Sequence, residues 1–291
     1  MNYRVSHTTK YCYAEPASVC HNELRLVPRD RPGQTTLRAQ LLVEPTPSTL
    51  RSDVDYFGNA VTFLTLQEPH AELTITAMSH VDVGPVPVPD SRTSSAWDVV
   101  VERVRAADAP DLLAAAEFVF ESPQVHLDDA LRAFAAPSFP AGRPLVEAVL
   151  DLTHRIHAEF AYDPEATTVA TPVATVLAER RGVCQDFAHL EIGCLRALGL
   201  AARYVSGYIQ TLPRDAPERL VGADASHAWL AVYVPDHGWV DLDPTNDQVP
   251  SGRHVTLAWG RDYGDVAPIK GVVLGGGEHT MHVAVDVTPL A

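Results

Sequence analysis

Residues Arg180–Gly193 read RRGVCQDFAHLEIG. A short punctuated run, TPVATVLAERRG, leads into them. Thr171 is placed to cap a helix, Pro172 suits its first turn, and Gly182 can end it in a left-handed conformation. A second helix then starts at or near Cys184, because Phe187, Leu190, Cys194, Leu195 and Leu198 recur at three- and four-residue spacing. Cys184 therefore opens a helix, where unpaired N–H groups and the helix dipole favour a thiolate. A cysteine in that place is either small core filling or a nucleophile.

Downstream of Gly199 the period changes from helical to alternating. AARYVSGYIQ, HAWLAVYV, GWVDLD and HTMHVAVDV read as strands. PDHG between the second and third is a tight turn, which predicts an antiparallel hairpin. His227 begins one strand of that hairpin and Asp243 ends the other, so the pairing brings an imidazole beside a carboxylate. A thiol nucleophile needs a base within reach and a third group to orient that base. If the helix opened by Cys184 packs on this sheet, Cys184, His227 and Asp243 become nucleophile, general acid–base and orienting acceptor.

Upstream, AWDVVVERVRAA, PDLLAAAEFVFES, HLDDALRAFAA and RPLVEAVLDLTHRIHAEF have helical spacing. Before Ala96 the chain reads as β. YRVSHTTKYCY and TLRAQLLVEP are rich in β-branched and aromatic residues, VDYFGNAVTFLTL carries a Gly58–Asn59 turn between strand-like runs, and ELTITAMSHVDV places Leu73, Ile75 and Ala77 on one parity. GPVPVPDSRTSS suits neither helix nor central strand and marks a boundary. The reading is an α+β chain: an antiparallel β-sandwich over 1–84, a Pro-rich linker over 85–96, and helices packed on an antiparallel sheet over 97–291.

A formal net charge of -15 weighs against nucleic acid or an anionic membrane surface as partner. No apolar run approaches the roughly 18 residues of a membrane span. The N-terminal MNYRVSHTTKYCYAE lacks a basic segment followed by an apolar one, so no signal peptide is expected. Four cysteines, Cys12, Cys20, Cys184 and Cys194, are too few for a disulfide scaffold, and reduced thiols in the cytoplasm are the expectation. Oligomeric state is not legible.

The segments GVCQDFAHL, LGLAARYVSGY and SHAWLAVYVPDHGWVDLDPTN together resemble the transglutaminase-like superfamily of papain-like thiol enzymes. That core places Cys at a helix start, His in an H-A-W strand and Asp in a D-P-T turn, which map onto Cys184, His227 and Asp243. NELRLVPRDRPGQ, DYFGNAVTF, WGRDYGDVAPIKG and GEHTMHVAVDV resemble the N-terminal β domain and closing strands of the family's bacterial branch. The resemblance implies a papain-like fold and attack on an amide or peptide carbonyl through a thioester acyl-enzyme. Hydrolysis, as a peptidase or amidase, is the first expectation. Acyl transfer to an amine and a non-catalytic binding module are the alternatives.

The backbone N–H of Cys184 is the natural first oxyanion donor. The resemblance puts the second on an aromatic residue upstream, for which Tyr162 is the candidate, with Gln185 a weaker one. Asp186 is expected to tie down local backbone. Asp241 shares the strand parity of Asp243 and rivals it, but Asp243 holds the D-P-T position. Trp229, Trp239, Arg261, Asp262 and Tyr263 are candidates to border the cleft. No metal or cofactor is implied. Cys184 and His189 stand about 140° apart around a helix and cannot converge on one ion. His154 and His157 share a face without H-E-x-x-H spacing, and LGGGEH lacks the Lys and helix of a phosphate loop. No acidic run has Ca²⁺-loop spacing.

Overall fold

The computed structural model describes residues 1–210, 212 and 226–290. Five strands come first: β1 (Asn2–Leu24), β2 (Gln34–Glu44), β3 (Thr49–Val54), β4 (Ala60–Leu66) and β5 (His70–Val83). β1 is long enough to serve two sets of partners. Its first half pairs with β5 and its second with β4, with a register irregularity between Cys12 and Ala17. Pro16 lies in that interval, where a residue without an N–H can be accommodated. β3 and β4 form the hairpin expected around Gly58–Asn59. Asp55 closes its turn, accepting from the Phe57 and Asn59 N–H groups.

Helices α1 (Trp97–Ala106), α2 (Pro110–Ala116), α3 (Asp129–Ala135) and α4 (Leu145–Glu159) follow. A two-residue β6 (Ala161–Tyr162) then pairs in parallel with β7 (Arg181–Gly182), bracketing α5 (Val173–Glu179). α6 (Cys184–Ala197) comes next, then the antiparallel strands β8 (Ala202–Ile209), β9 (His227–Val234), β10 (Gly238–Leu242) and β11 (His254–Gly260), in spatial order β10-β9-β8-β11. α7 (Tyr263–Val266), β12 (Ile269–Gly275) and β13 (His279–Pro289) complete the chain.

α6 is central. It packs on β8 and β9 and against α3, α4 and α5. Leu190, Ile192, Cys194 and Leu195 are fully buried, and every residue from Asp186 to Ala197 is buried. A helix enclosed on all sides is held by packing more than by propensity. Each large apolar side chain it buries contributes about 2 kcal/mol.

The antiparallel N-terminal β region followed by helices and a second antiparallel sheet is the α+β order read from the sequence. Two details differ. First, the β region is hydrogen-bonded through β1 into one seven-stranded sheet. Its halves still meet over a shared core of Cys20, Leu24, Leu64 and Leu66 with Val43, Leu73, Ile75 and Ala77. Second, β12 and β13, grouped by the sequence reading with residues 97–291, pair with β1. Position along the chain was a poor guide here, since strands add wherever an open edge accepts them.

The helix ends also depart from expectation. Pro172, not Thr171, occupies the N-cap of α5, and Thr171 Oγ1 instead accepts from the Thr168 N–H. The left-handed turn falls on Arg180, with φ 55°, and not on Gly182. What Gly182 supplies is space: a Cβ there would stand 2.7 Å from Asp186 Oδ2. Among the described residues no helix is long and apolar enough to cross a membrane.

Candidate active site

Cys184 is the first residue of α6, half-buried at the helix mouth. Asp186 fixes that mouth. Its Oδ2 accepts from the Val183 N–H at 2.8 Å and from Thr167 Oγ1 at 2.6 Å. Burial raises the Asp186 pKa, and these two donors work in the opposite direction. The carboxylate thus ties the turn before Cys184 to the 167–171 loop, as a capping acid should.

His227 opens β9 and is fully buried beneath the helix mouth. Asp243 follows β10 directly and is also fully buried. Leu242 pairs with Leu230, so the hairpin carries the two strands to the same end of the sheet. There His227 Nε2 meets Asp243 Oδ2 at 3.0 Å. Burial opposes charge on His227, but Asp243 and then Cys184 outweigh it and lift the imidazole to about 10. Burial would likewise raise Asp243, yet His227 and His254 hold its carboxyl well below the usual range. The favoured state is an imidazolium against a carboxylate.

The remaining nitrogen, His227 Nδ1, has no partner at full hydrogen-bond geometry among the described residues. Cys184 acts on the ring both as a side-chain hydrogen-bond partner and as a charge, and contacts of this kind often reach full alignment only when substrate binds. Asp243 is held by its own turn. Thr245 N–H and Asn246 N–H donate to Oδ1 at 3.1 and 3.3 Å, and Asn246 Nδ2 donates to Oδ2 at 2.9 Å.

Trp229 packs beneath both groups. Its ring stacks on His227 at 6.0 Å and meets His254 edge-on at 5.2 Å. Gly207 makes the room, because a Cβ there would lie 2.4 Å from the indole. Trp229 is fully buried, so it supports the imidazole and does not line a cleft. Trp239 packs on Phe118, Tyr233 and Arg203.

The secondary candidates separate. Tyr162 sits on β6, 39% exposed, with its ring edge-on to Phe187. Burial, then Cys184 and Asp186, push its hydroxyl up to about 12, so it stays protonated and able to donate. The Gln185 side chain instead donates to the Val169 carbonyl at 3.2 Å, away from the role of oxyanion donor. Asp241 is taken by Arg31 at 2.6 Å and has no hydrogen bond to His227 among the described residues. Asp262 is buried and caps α7 through the Gly264 N–H while also receiving the Gln124 N–H. Arg261 pairs with Asp265, and Tyr263 donates its N–H to His189 Nε2. These three build a loop support. His154 pairs with Asp247 and His157 with the Thr245 carbonyl, so the two point to different partners.

Three buried residues escaped the sequence reading. His254 Nε2 reaches Asp243 Oδ2 at 3.2 Å. Glu191, two turns along α6, accepts from Thr153 Oγ1 at 2.7 Å. Arg196 binds the carbonyls of Ala202, Phe120 and Arg261. His254 opens the alternating run HVTLAW and was findable as a strand end. The other two are polar breaks in an apolar helix stripe, with no local sign of their partners.

The chain matches the bacterial transglutaminase-like N-terminal region over residues 3–82 and the transglutaminase-like superfamily core over 132–244. It belongs to the transglutaminase-like superfamily. The superfamily core match takes in Cys184, His227 and Asp243. An uncharacterised Mycobacterium tuberculosis protein is 42% identical over 99% of this chain and 92% of its own length. A Mycobacterium leprae protein is 33% identical over 99% of both chains. A Cytophaga hutchinsonii crystal structure, described as a candidate cysteine protease, superposes with a TM-score of 0.76 at 23% identity, covering 100% of this chain and 92% of that one, which shows the shared fold. A Pseudomonas aeruginosa protein-glutamine gamma-glutamyltransferase is 28% identical over 44% of this chain and 23% of its own.

Proposed function

We propose that this transglutaminase-like protein is a thiol hydrolase acting on an amide or peptide bond. The observation that carries the reading is a buried His227 bonded to Asp243 beneath a cysteine that opens a helix. Cys184 thiolate attacks the carbonyl carbon, forming a C–S bond and an oxyanion. The Cys184 N–H and the Tyr162 hydroxyl stabilise that charge. Collapse breaks the C–N bond, and the leaving amine takes the proton held on His227. Water then attacks the thioester, His227 accepts its proton, and the acid leaves as the thiol is restored. Asp243 keeps the ring oriented and its cation paired through both halves. Because Asp243 is fully buried, water competes little for that pairing.

The acyl-transfer reading shares every step to the thioester and differs only in the acceptor. Its support is the partial match to the Pseudomonas transferase. Mass spectrometry of the protein incubated with a peptide amide, with and without a primary amine, tests both. Free acid without added amine supports the hydrolase. Product formed only with the amine supports the transferase. No acyl adduct on Cys184 in either arm refutes both. The peptide or amide substrate class and a reducing, cytoplasmic setting for the four free thiols belong to the same proposal.

A further inference from the structure

Asp243 holds two imidazoles. His227 and His254 both direct Nε2 at the same carboxylate oxygen, at 3.0 and 3.2 Å, and both side chains are at most 3% exposed. His254 arrives from β11, the edge strand opposite the β9–β10 hairpin that carries the other two residues. The contact therefore ties the far edge of the sheet to the carboxylate. We propose that His254 is a positioning residue that donates a neutral N–H to Asp243, clamping its carboxylate and moderating its grip on the His227 proton.

Charge arithmetic supports the neutral form. One carboxylate can balance one buried cation, and a second imidazolium beside the first would be costly. Burial lowers the pKa of His254 and the His227 cation adds to that, against the pull of Asp243. A neutral ring with Nε2 facing a carboxylate oxygen must carry its hydrogen there, since the other tautomer would set two lone pairs together. The Nδ1 of His254, buried without a hydrogen-bond partner among the described residues, is the expected remainder. Trp229 holds the ring edge-on and prevents rotation.

The consequence is electronic as well as geometric. Each donor that shares Oδ2 reduces the charge available to His227. The charged and titratable groups facing the pair are Cys184 from α6, Asp241 from β10 and Asp243 from the turn after it, with Glu191 of α6 facing Asp243 in turn. Removing only the His254 donor leaves these in place. Asp243 then holds the His227 proton more tightly. The imidazolium persists to higher pH and yields its proton to a leaving amine less readily.

The three ligand atoms also lie within 4.8 Å of one another, so a divalent cation is the competing account. The hydrogen-bonded account is favoured because Asn246 Nδ2 already occupies the same Asp243 oxygen as the two rings.

The inference rests on the thiol–imidazole reading, and the test keeps them apart by following Cys184 alkylation by iodoacetamide against pH, which needs no substrate. The variants are His254→Leu, which fills similar space without a donor, and His254→Gln, which restores one. Loss of a hydrogen bond to a charged group moves the alkaline edge of the profile, where His227 gives up its proton, up by about one pH unit in His254→Leu. His254→Gln returns that edge towards wild type. If His254→Leu folds and leaves the alkaline edge unmoved, or His254→Gln matches it, the clamp is refuted while the thiol–imidazole reading stands. If His227→Ala also leaves the profile unchanged, the underlying reading fails instead. If EDTA alters the wild-type profile and zinc restores it, the three atoms are metal ligands and the clamp is wrong.

Discussion

Replacing Glu191 with glutamine isolates one proton in the middle of α6. Glu191 is fully buried, and one carboxyl oxygen accepts from Thr153 while the other has no partner among the described residues. Burial, with smaller contributions from Asp243 and Asp247 against the Thr153 bond, raises its pKa from 4.5 to about 8. The unfolded chain releases this proton near its ordinary value, so between those limits the folded state binds more protons. Stability is then lost as pH rises through the window, at up to about 1.4 kcal/mol per pH unit, with an upper bound of about 5 kcal/mol. Glutamine keeps the shape and the Thr153 contact and has no proton to lose. Urea unfolding of both proteins from pH 4.5 to 9 should therefore give matched stabilities at the acid end. Glu191→Gln should become more stable by a few kcal/mol at the alkaline end. His7 and His189, each lowered to about 4 by burial, favour folding as pH rises from about 4 to their unfolded value, and they cancel in the difference. A difference that stays constant across pH 5 to 8 would show that Glu191 ionises normally.

Iodoacetamide at neutral pH should label Cys184 before Cys12, Cys20 or Cys194. Burial raises the thiols of Cys20 and Cys194, and peptide mapping over time gives the order. Asp243→Asn should cost less turnover than Cys184→Ala but lower the alkaline edge of activity well below pH 10, because burial of His227 is then unopposed by its main partner. A pH–rate profile reads that shift. Tyr162→Phe should lower kcat by about a hundredfold with little change in KM if its hydroxyl meets the oxyanion, and steady-state kinetics separates the two constants.

The helix opened by Cys184 and the His227 and Asp243 strands were legible because each rests on local periodicity plus one tight turn. The Tyr162 and Gln185 assignments were weaker for a physical reason. Side-chain direction in a two-residue strand and at a helix mouth depends on neighbours, and Gln185 turned to Val169. The cap of α5 was misjudged because Thr171 found a partner in its own loop, which hydroxyl side chains commonly do. His254 was invisible as a partner of Asp243 because the contact joins two edges of a sheet whose strand order no local pattern reveals.

Asp241 shows why the N-terminal sheet matters to the site. It precedes Asp243 by two residues and would compete for a buried imidazole if left free. Arg31, from the segment joining β1 and β2, takes it instead at 2.6 Å. The same region completes the sheet that carries His227 at its open edge. Gln34 donates to the Thr256 carbonyl and accepts from the Thr256 N–H, standing in for a neighbouring strand. Asn59 does the same for Trp259. Arg29 and Arg203 then enclose the Trp259 ring at 3.2 and 3.7 Å, and Arg203 continues onto Trp239 at 4.2 Å. An unpaired backbone edge or an unpaired buried aspartate would each cost about 1–3 kcal/mol or more. Both lie within a few residues of Asp243 or His254. The β region is therefore part of what keeps one carboxylate, and not two, facing His227.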